Sequence, residues 1–396
     1  MDVKISDRMA NINPSAIREM LKVTAMPNVI SFAAGGPSPE EFPVKELAHL
    51  AAEIFETDSY TALQYSVTEG YAPLREITKD RIKNKFNIGR EFDDLIIVSG
   101  GQQTISLATQ CLVNEGDIVV CENPSFVGAL NTFRAFNAKL TGVPMDENGM
   151  DITVLENILK TESRVKLIYT IPTFQNPTGV TMPLKRRQHL LELAEKYDVM
   201  ILEDDPYYEL RYSGEIVPTL KSMDETGRVI YSGSYSKTIS PGMRIGYACG
   251  CKELIAKMTV AKQTQDVHTN AMFMMIVARY IEQFDFDAHI RECCEHYKVK
   301  RDFMLKKMEE KLTGYVKFTK PEGGLFIWCE LPQEYSGFEF CKFAANYGVA
   351  CVPGTTFDVA EDRNNNCFRL NFTIPSLEQI DKGIDIVADC LEKFIK

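Results

Sequence analysis

Lys237 stands in GSYSKTISPGMRIG, residues 233–246, among serines, a Pro-Gly turn and one arginine, with no acidic residue in the stretch. A lysine in a short polar loop is ordinarily a solvated surface charge. A lysine without an anionic neighbour is also suited to work as a neutral amine, either nucleophile or base. Ser234 and Ser236 offer hydroxyls, and Arg244 offers a planar fork of donors matched to phosphate oxygens. Further up the chain, Ser99-Gly100-Gly101-Gln102 is a glycine turn opening a helical stretch, where free N–H groups and the helix dipole favour an anion. Taken singly, each has a plainer explanation: a tight turn, or an arginine at the start of a strand.

Three more groups widen the pattern. Asp204 ends the apolar run of ILEDDPYY, where a carboxylate is costly unless it meets a cation or a donor. It can cap or turn the chain locally, or pair with a protonated pyridine nitrogen. Asn176 in IPTFQNPTG reads first as an Asn-Pro turn former, but its amide, like the phenol of Tyr207, can donate to a phenolate oxygen. A phosphate cradle, a carboxylate for a ring nitrogen, donors for a ring oxygen and an unpaired lysine together complement pyridoxal 5′-phosphate. The dinucleotide fingerprint GxGxxG is absent, and Ser236 replaces the glycine that a P-loop needs before its lysine.

The elements that must hold these residues alternate. DLIIVSG, DIVVCENP, VKLIYTIP, VMILEDDP, RVIYSGS and RIGYACG are short apolar runs separated by helical stretches. In one of these, Leu184, Leu190, Leu191, Ala194 and Tyr197 suit a single helical face. The pattern predicts an α/β fold with a mainly parallel sheet, seven-stranded in type, covered by helices on both faces. In such sheets ligands gather at the carboxyl ends of the strands, and here those ends carry Ser99–Gln102, Asn176, Asp204–Tyr207 and Ser234–Lys237. From about residue 290 a long charged helix, three strand-like stretches and a last helix near 377–395 predict a smaller α+β domain. The division expected is an N-terminal segment 1–44, a large domain 45–285 and a small domain 286–396.

Composition narrows the class. The chain has 396 residues, 45% hydrophobic and 25% charged, with a formal net charge of −11, which disfavours nucleic acid as a partner. No apolar run approaches the roughly 18 residues of a membrane span, and the first twenty residues contain no secretory h-region. Eleven cysteines without zinc-site spacing fit small buried residues in a reduced, cytoplasmic protein, so no metal is expected.

SYSKTISPGMRIG, NPTG and DDPY, in this order and spacing, resemble the three landmarks of the class I/II aminotransferases, pyridoxal-phosphate enzymes of fold type I. The resemblance runs over about residues 12–395. It implies that Lys237 is the Schiff-base lysine and proton shuttle, that Asp204 pairs with the pyridine nitrogen, and that Asn176 and Tyr207 hold the ring hydroxyl. It surrounds the phosphate with Gly101, Gln102, Ser234, Ser236 and Arg244. It stacks Phe126 on the ring, where many relatives have tyrosine. Tyr65 in LQYSVTEGY would reach the phosphate of a neighbouring subunit, so a homodimer with shared sites is implied.

Arg369 in CFRLNFT would grip the substrate α-carboxylate, and a lone arginine in an apolar strand agrees with that on physical grounds. Gly36 in FAAGGPSP would close over the same group. NPSAIREM, ISFAAGGPSPEEFP and ALQYSVTEGYAPLR are most similar to 2-aminoadipate and broad-specificity aromatic aminotransferases, which makes Ser15 and Arg18 candidates for side-chain recognition. The reaction implied is ping-pong transamination with a 2-oxo acid such as 2-oxoglutarate. A C–S lyase or a decarboxylase on the same fold is the alternative.

Overall fold

A computed structural model describes residues 3–10, 29–361 and 365–395; Ser15 and Arg18 lie outside these residues. Its strands are β1 (Ile30–Ser31), β2 (Asp93–Val98), β3 (Ile118–Asn123), β4 (Lys139–Asp146), β5 (Gly149–Met150), β6 (Val165–Thr170), β7 (Met200–Asp204), β8 (Val229–Ser234), β9 (Gly246–Cys251), β10 (Lys317–Phe318), β11 (Phe326–Glu330), β12 (Val349–Ala350), β13 (Val352–Pro353) and β14 (Cys367–Asn371).

The large sheet has eight strands in the order β2-β9-β8-β7-β6-β3-β4-β5. Its middle is parallel, from β8 through β7, β6 and β3 to β4. β9 runs against both of its neighbours, and the two-residue β5 folds back on β4. The near-continuous apolar runs follow from burial on both faces. In β2, Ile96 and Val98 enter one core while Leu95 and Ile97 enter another, the two-residue alternation expected of a strand.

The helix Leu184–Lys196 departs from its predicted face. Leu190, Leu193 and Ala194 are buried together with Arg187, while Leu184 is 40% exposed. Arg187 is held in its buried place by donating to the carbonyls of Met182, Pro172 and Pro218 and to Thr173 Oγ1, at 2.7–3.1 Å.

A second, antiparallel sheet, β10-β11-β14-β13, lies in the C-terminal part, flanked by the helices Phe286–Leu312 and Leu377–Phe394. The last helix opens with a capping box between Ser376 and Gln379. β1 leaves the N-terminal part and pairs in parallel with β12. Among the described residues no helix is long and apolar enough to cross a membrane.

Topology brings the polar strand ends together. Because β9 is antiparallel to both β2 and β8, the carboxyl ends of β2 and β8 lie at the same edge as the amino end of β9. Gly246 is registered against Val98 on one side and Ser234 on the other. It has to be glycine: a Cβ there would come within 2.9 Å of Gly233 O and 3.1 Å of the Gly100 Cα.

Candidate active site

A cavity of about 330 Å³ opens at that edge, lined by residues from the ends of β6, β7 and β8, from the helix Gly101–Leu112 and from both ends of the chain. Asp204 lies at its base. It is 5% exposed, and its Oδ2 accepts a 2.8 Å hydrogen bond from Tyr169 on the neighbouring β6. A Cβ on Gly101 would stand 3.6 Å from Asp204 Oδ1, so that oxygen faces the start of the helix. Burial pushes the carboxyl up to about 6, against the lowering effect of Tyr169 and of the nearby Lys237. Ser232, buried beside it, also lowers the carboxyl.

Lys237 projects into the same cavity from the turn after β8. Its Nζ donates to Gly35 O at 2.9 Å and stands 5.9 Å from the centre of the Tyr207 ring. Burial, with Arg369 and Arg244 adding like charge, pushes the amine down to about 8, partly offset by Asp204. Arg244 comes from the same loop and Arg369 from the distant β14, and together they disfavour the ammonium form.

Arg369 on β14 is buried to 3% exposure. It donates to Asn176 Oδ1 at 2.9 Å and to the carbonyls of Ala33 and Ala34 at 3.1 and 3.4 Å, while its Nε has no partner. Its guanidinium lies 4.0 Å from the Phe326 ring centre and 4.9 Å from that of Phe357. Among the described residues it forms no ion pair, and burial lowers it to about 10. Asn176 and Tyr207, both buried, stand beside it, and burial raises the Tyr207 phenol.

The opposite wall is the turn before the helix Gly101–Leu112. Gly100 has φ +83°, and a Cβ there would collide with the Arg244 guanidinium. Arg244 Nη2 in turn donates to Ser99 O at 3.2 Å. Ser234 Oγ accepts from the Ser236 N–H at 3.1 Å, and both serines line the cavity. Phe126, half-buried at the N-cap of the helix Val127–Ala135, forms one side.

Three expected residues sit differently from the rest. Gln102 lines the cavity, but its side-chain NH2 group is engaged elsewhere, donating to Gly128 O at 2.9 Å and Thr132 Oγ1 at 2.6 Å. Gly36 lies one residue past the lining; Gly35 is the residue at the cavity, and Gly36 O accepts from Asn371 and Thr373. Tyr65 is 81% exposed, packs edge-on against His268, and is not among the residues that line the cavity. Tyr169, Gly35 and Phe357 were not expected. Tyr169 shares a face with Asp204 only through the register of β6 on β7.

The donor set fits pyridoxal phosphate: a buried carboxylate for its ring nitrogen, an amine held near neutrality for its aldehyde, and a glycine turn with Arg244, Ser234 and Ser236 for its phosphate. The orphaned Arg369 Nε adds a place for a carboxylate.

Comparison with known proteins agrees with this chemistry. The family model "Aminotransferase class I and II" matches residues 27–387. The aromatic-amino-acid aminotransferase 1 of Thermococcus litoralis is 42% identical over 395 residues, covering 99% of this chain and 94% of that one. The kynurenine aminotransferase of Pyrococcus horikoshii, solved with pyridoxamine phosphate, superposes with a TM-score of 0.95 at 40% identity, over 99% of this chain and 98% of that chain. The α-aminoadipate aminotransferase of Thermus thermophilus, solved with a phosphopyridoxyl-leucine adduct, gives 0.91 at 34% identity over 99% and 98%. On these findings the chain belongs to the class I and II aminotransferases and is a pyridoxal-phosphate-dependent enzyme of that family.

Proposed function

We propose that this enzyme moves the amino group of an L-amino acid to a 2-oxo acid such as 2-oxoglutarate by a ping-pong mechanism. The donors proposed are glutamate, 2-aminoadipate and amino acids with aromatic or branched side chains. The observation that carries the reading is one cavity holding a buried arginine and a lysine, neither of them in an ion pair among the described residues. Support for a broad donor range comes from the relatives, named for aromatic amino acids, kynurenine and α-aminoadipate.

Arg369 binds the substrate α-carboxylate, with Asn176 fixing the guanidinium plane. Pyridoxal phosphate, when bound, supplies an electron sink for charge released at the substrate Cα. Asp204 Oδ1 holds a proton on the ring nitrogen, and Tyr169 keeps that carboxylate oriented. The Tyr207 phenol and the Asn176 amide serve the ring oxygen, and Phe126 stacks on the ring. The N–H groups of Gly101 and Gln102, with Ser234, Ser236 and Arg244, hold the phosphate. Lys237 would hold the cofactor until the substrate amine takes its place, and the freed Nζ would then accept the proton from Cα; an amine held near neutral pH suits a base. Gly36 is assigned to closure over the substrate α-carboxylate, and Ser15 and Arg18, which lie outside the described residues, to recognition of the substrate side chain.

The site is completed in a homodimer, Tyr65 of each subunit serving the other's phosphate. Support for this is the exposed apolar surface around it: Tyr60, Leu63 and Val67 are 77%, 73% and 59% exposed. The division at residues 44 and 285 and a cytoplasmic location belong to the same proposal.

The test is an absorbance scan of the loaded enzyme between about 300 and 500 nm, before and after adding glutamate, 2-aminoadipate, phenylalanine, leucine, alanine or aspartate singly. Bleaching of the cofactor band that 2-oxoglutarate reverses is the expected result, and the fastest donor ranks the substrates. Release of pyruvate, sulfide or carbon dioxide with no need for a 2-oxo acid would replace the reading with a lyase or a decarboxylase.

A further inference from the structure

Behind the turn that bears Gly100 and Gly101 lies an ion pair outside the cavity. Lys262, wholly buried, donates from Nζ to Asp266 Oδ1 and Oδ2 at 2.7 and 2.9 Å. Asp266 Oδ2 accepts from Ser99 Oγ at 2.6 Å, and the hydroxyl of the buried Thr269 lies 3.2 Å from the same Oγ. Gln103 Oε1 accepts from Lys262 Nζ at 2.9 Å and from the Ser99 N–H at 2.8 Å. The third polar group of Ser99, its carbonyl, accepts from Arg244. Every polar atom of Ser99 is therefore fixed, by Gln103 of the helix Gly101–Leu112, by Asp266 and Thr269 after the helix Lys252–Gln265, and by Arg244 at the end of the 3-10 turn before β9.

We infer that Asp266, paired with Lys262, is a positioning residue that sets the phosphate specificity of the cofactor site by fixing Ser99 and, through its carbonyl, Arg244. The inference rests on the reading that Arg244 and the Ser99–Gln102 turn hold the cofactor phosphate. The geometry argues for alignment rather than for added charge. Asp266 is an anion close to a proposed dianion site, yet its charge is matched at 2.7 Å by Lys262, so the pair adds little net field there. What it supplies is a rigid support: the turn's N–H groups and the Arg244 fork must face the phosphate together, and both are hinged on Ser99. Lys262 and Ser99 also hold the Asp266 carboxyl below its ordinary range against the opposing effect of burial, so the acceptor stays ionised.

The test compares pyridoxal phosphate with pyridoxal, which lacks the phosphate, as ligands for the full-length chain stripped of cofactor, read by the absorbance of the bound form. Asp266→Asn keeps the shape and removes the charge; Ser99→Ala removes the Oγ contacts with Asp266 and Thr269 and leaves the Lys262–Asp266 pair intact. Each is expected to weaken pyridoxal phosphate about 10-fold while pyridoxal changes by less than about twofold. Arg244→Gln separates the two layers of the argument. If it leaves the preference for the phosphorylated ligand unchanged, the phosphate reading itself fails. If it lowers that preference but the other two variants do not, or they weaken both ligands equally, Asp266 is merely structural and the inference is overturned. Tighter pyridoxal phosphate binding by Asp266→Asn would also overturn it, since charge rather than alignment would then dominate. Should Asp266→Asn fail to fold with Lys262 unpaired, Ser99→Ala alone decides.

Discussion

Replacing Arg369 by methionine separates a substrate clamp from a structural ion. The native side chain is 3% exposed and has three acceptors but no anion. Removing a buried charge that lacks a counter-ion is worth roughly 1–4 kcal/mol to the fold when an apolar group of similar volume fills the space. Against that, Asn176 Oδ1 and the carbonyls of Ala33 and Ala34 lose a donor. An acceptor that stays dry costs roughly 1–3 kcal/mol, but two of the three belong to backbone beside the cavity, where water can replace the lost donor. The opposing effects nearly cancel, so the stability of Arg369→Met should lie within about 2 kcal/mol of the parent.

Its chemistry should not survive so well. Leaving a bound α-carboxylate desolvated without its partner costs roughly 3–5 kcal/mol, which is two to four powers of ten in kcat/KM. The assay pairs guanidinium denaturation of the loaded enzyme with single-turnover bleaching of the cofactor band by phenylalanine and by 2-phenylethylamine, which has no carboxylate. Phenylalanine should lose its advantage over the amine, and the amine rate should stay unchanged. A loss in kcat/KM under about tenfold, accompanied by a stability loss above about 4 kcal/mol, would refute the argument and make Arg369 a structural residue.

Three further outcomes are expected. Lys237 is held near 8 against an ordinary 10.5, so below pH 8 its ammonium form is carried at a cost to the folded chain. Between 8 and 10.5 the unfolded chain binds more protons, and that cost is relieved as pH rises. In cofactor-free protein, Lys237→Met should therefore be more stable than the parent at pH 7 by a margin that shrinks towards pH 10; a constant margin in denaturant midpoints would contradict this. Tyr169→Phe removes the 2.8 Å hydrogen bond to Asp204. The carboxyl then rises further, and the acid limb of the kcat/KM profile should move to higher pH with a rate loss of about tenfold; an unmoved limb argues against the role. Leu63→Glu, on the exposed surface near Tyr65, should yield monomers by sedimentation and lose most cofactor-dependent activity; an active monomer would dispose of the shared site.

Much of the site can be read in the sequence because the parallel strands leave their chemistry where apolar runs stop. Asp204, Asn176 and Ser234 each follow such a run, and Lys237 stands out by the lack of a nearby acid. Other parts depend on register or on distance. Tyr169 reads as one more strand aromatic until β6 is set against β7. Arg187 sits among leucines on a buried helix face because three carbonyls converge on it, which no helical periodicity reveals. β4 escapes notice because all but one of its residues are half-exposed or exposed, so KLTGVPMD carries no strong apolar alternation. Lys262 and Asp266 look like an ordinary i,i+4 surface pair; only the burial of Lys262 and the bond from Ser99 to Asp266 give them a further meaning.

The bond from Arg369 to Ala33 O joins residues 336 positions apart, and β1 finds its partner β12 from a similar distance. A chain made at roughly 5–20 residues per second exposes its amino end long before that partner exists. The large sheet, whose last strand ends at Cys251, has its whole sequence available first. During synthesis the sheet edge bearing Asp204 and Lys237 can therefore form ahead of the contact between Arg369 and Ala33, which waits for nearly the whole chain to emerge. A ribosome stalled before residue 349 leaves Ile30–Ser31 without a strand to pair with, while every strand of the large sheet is already made.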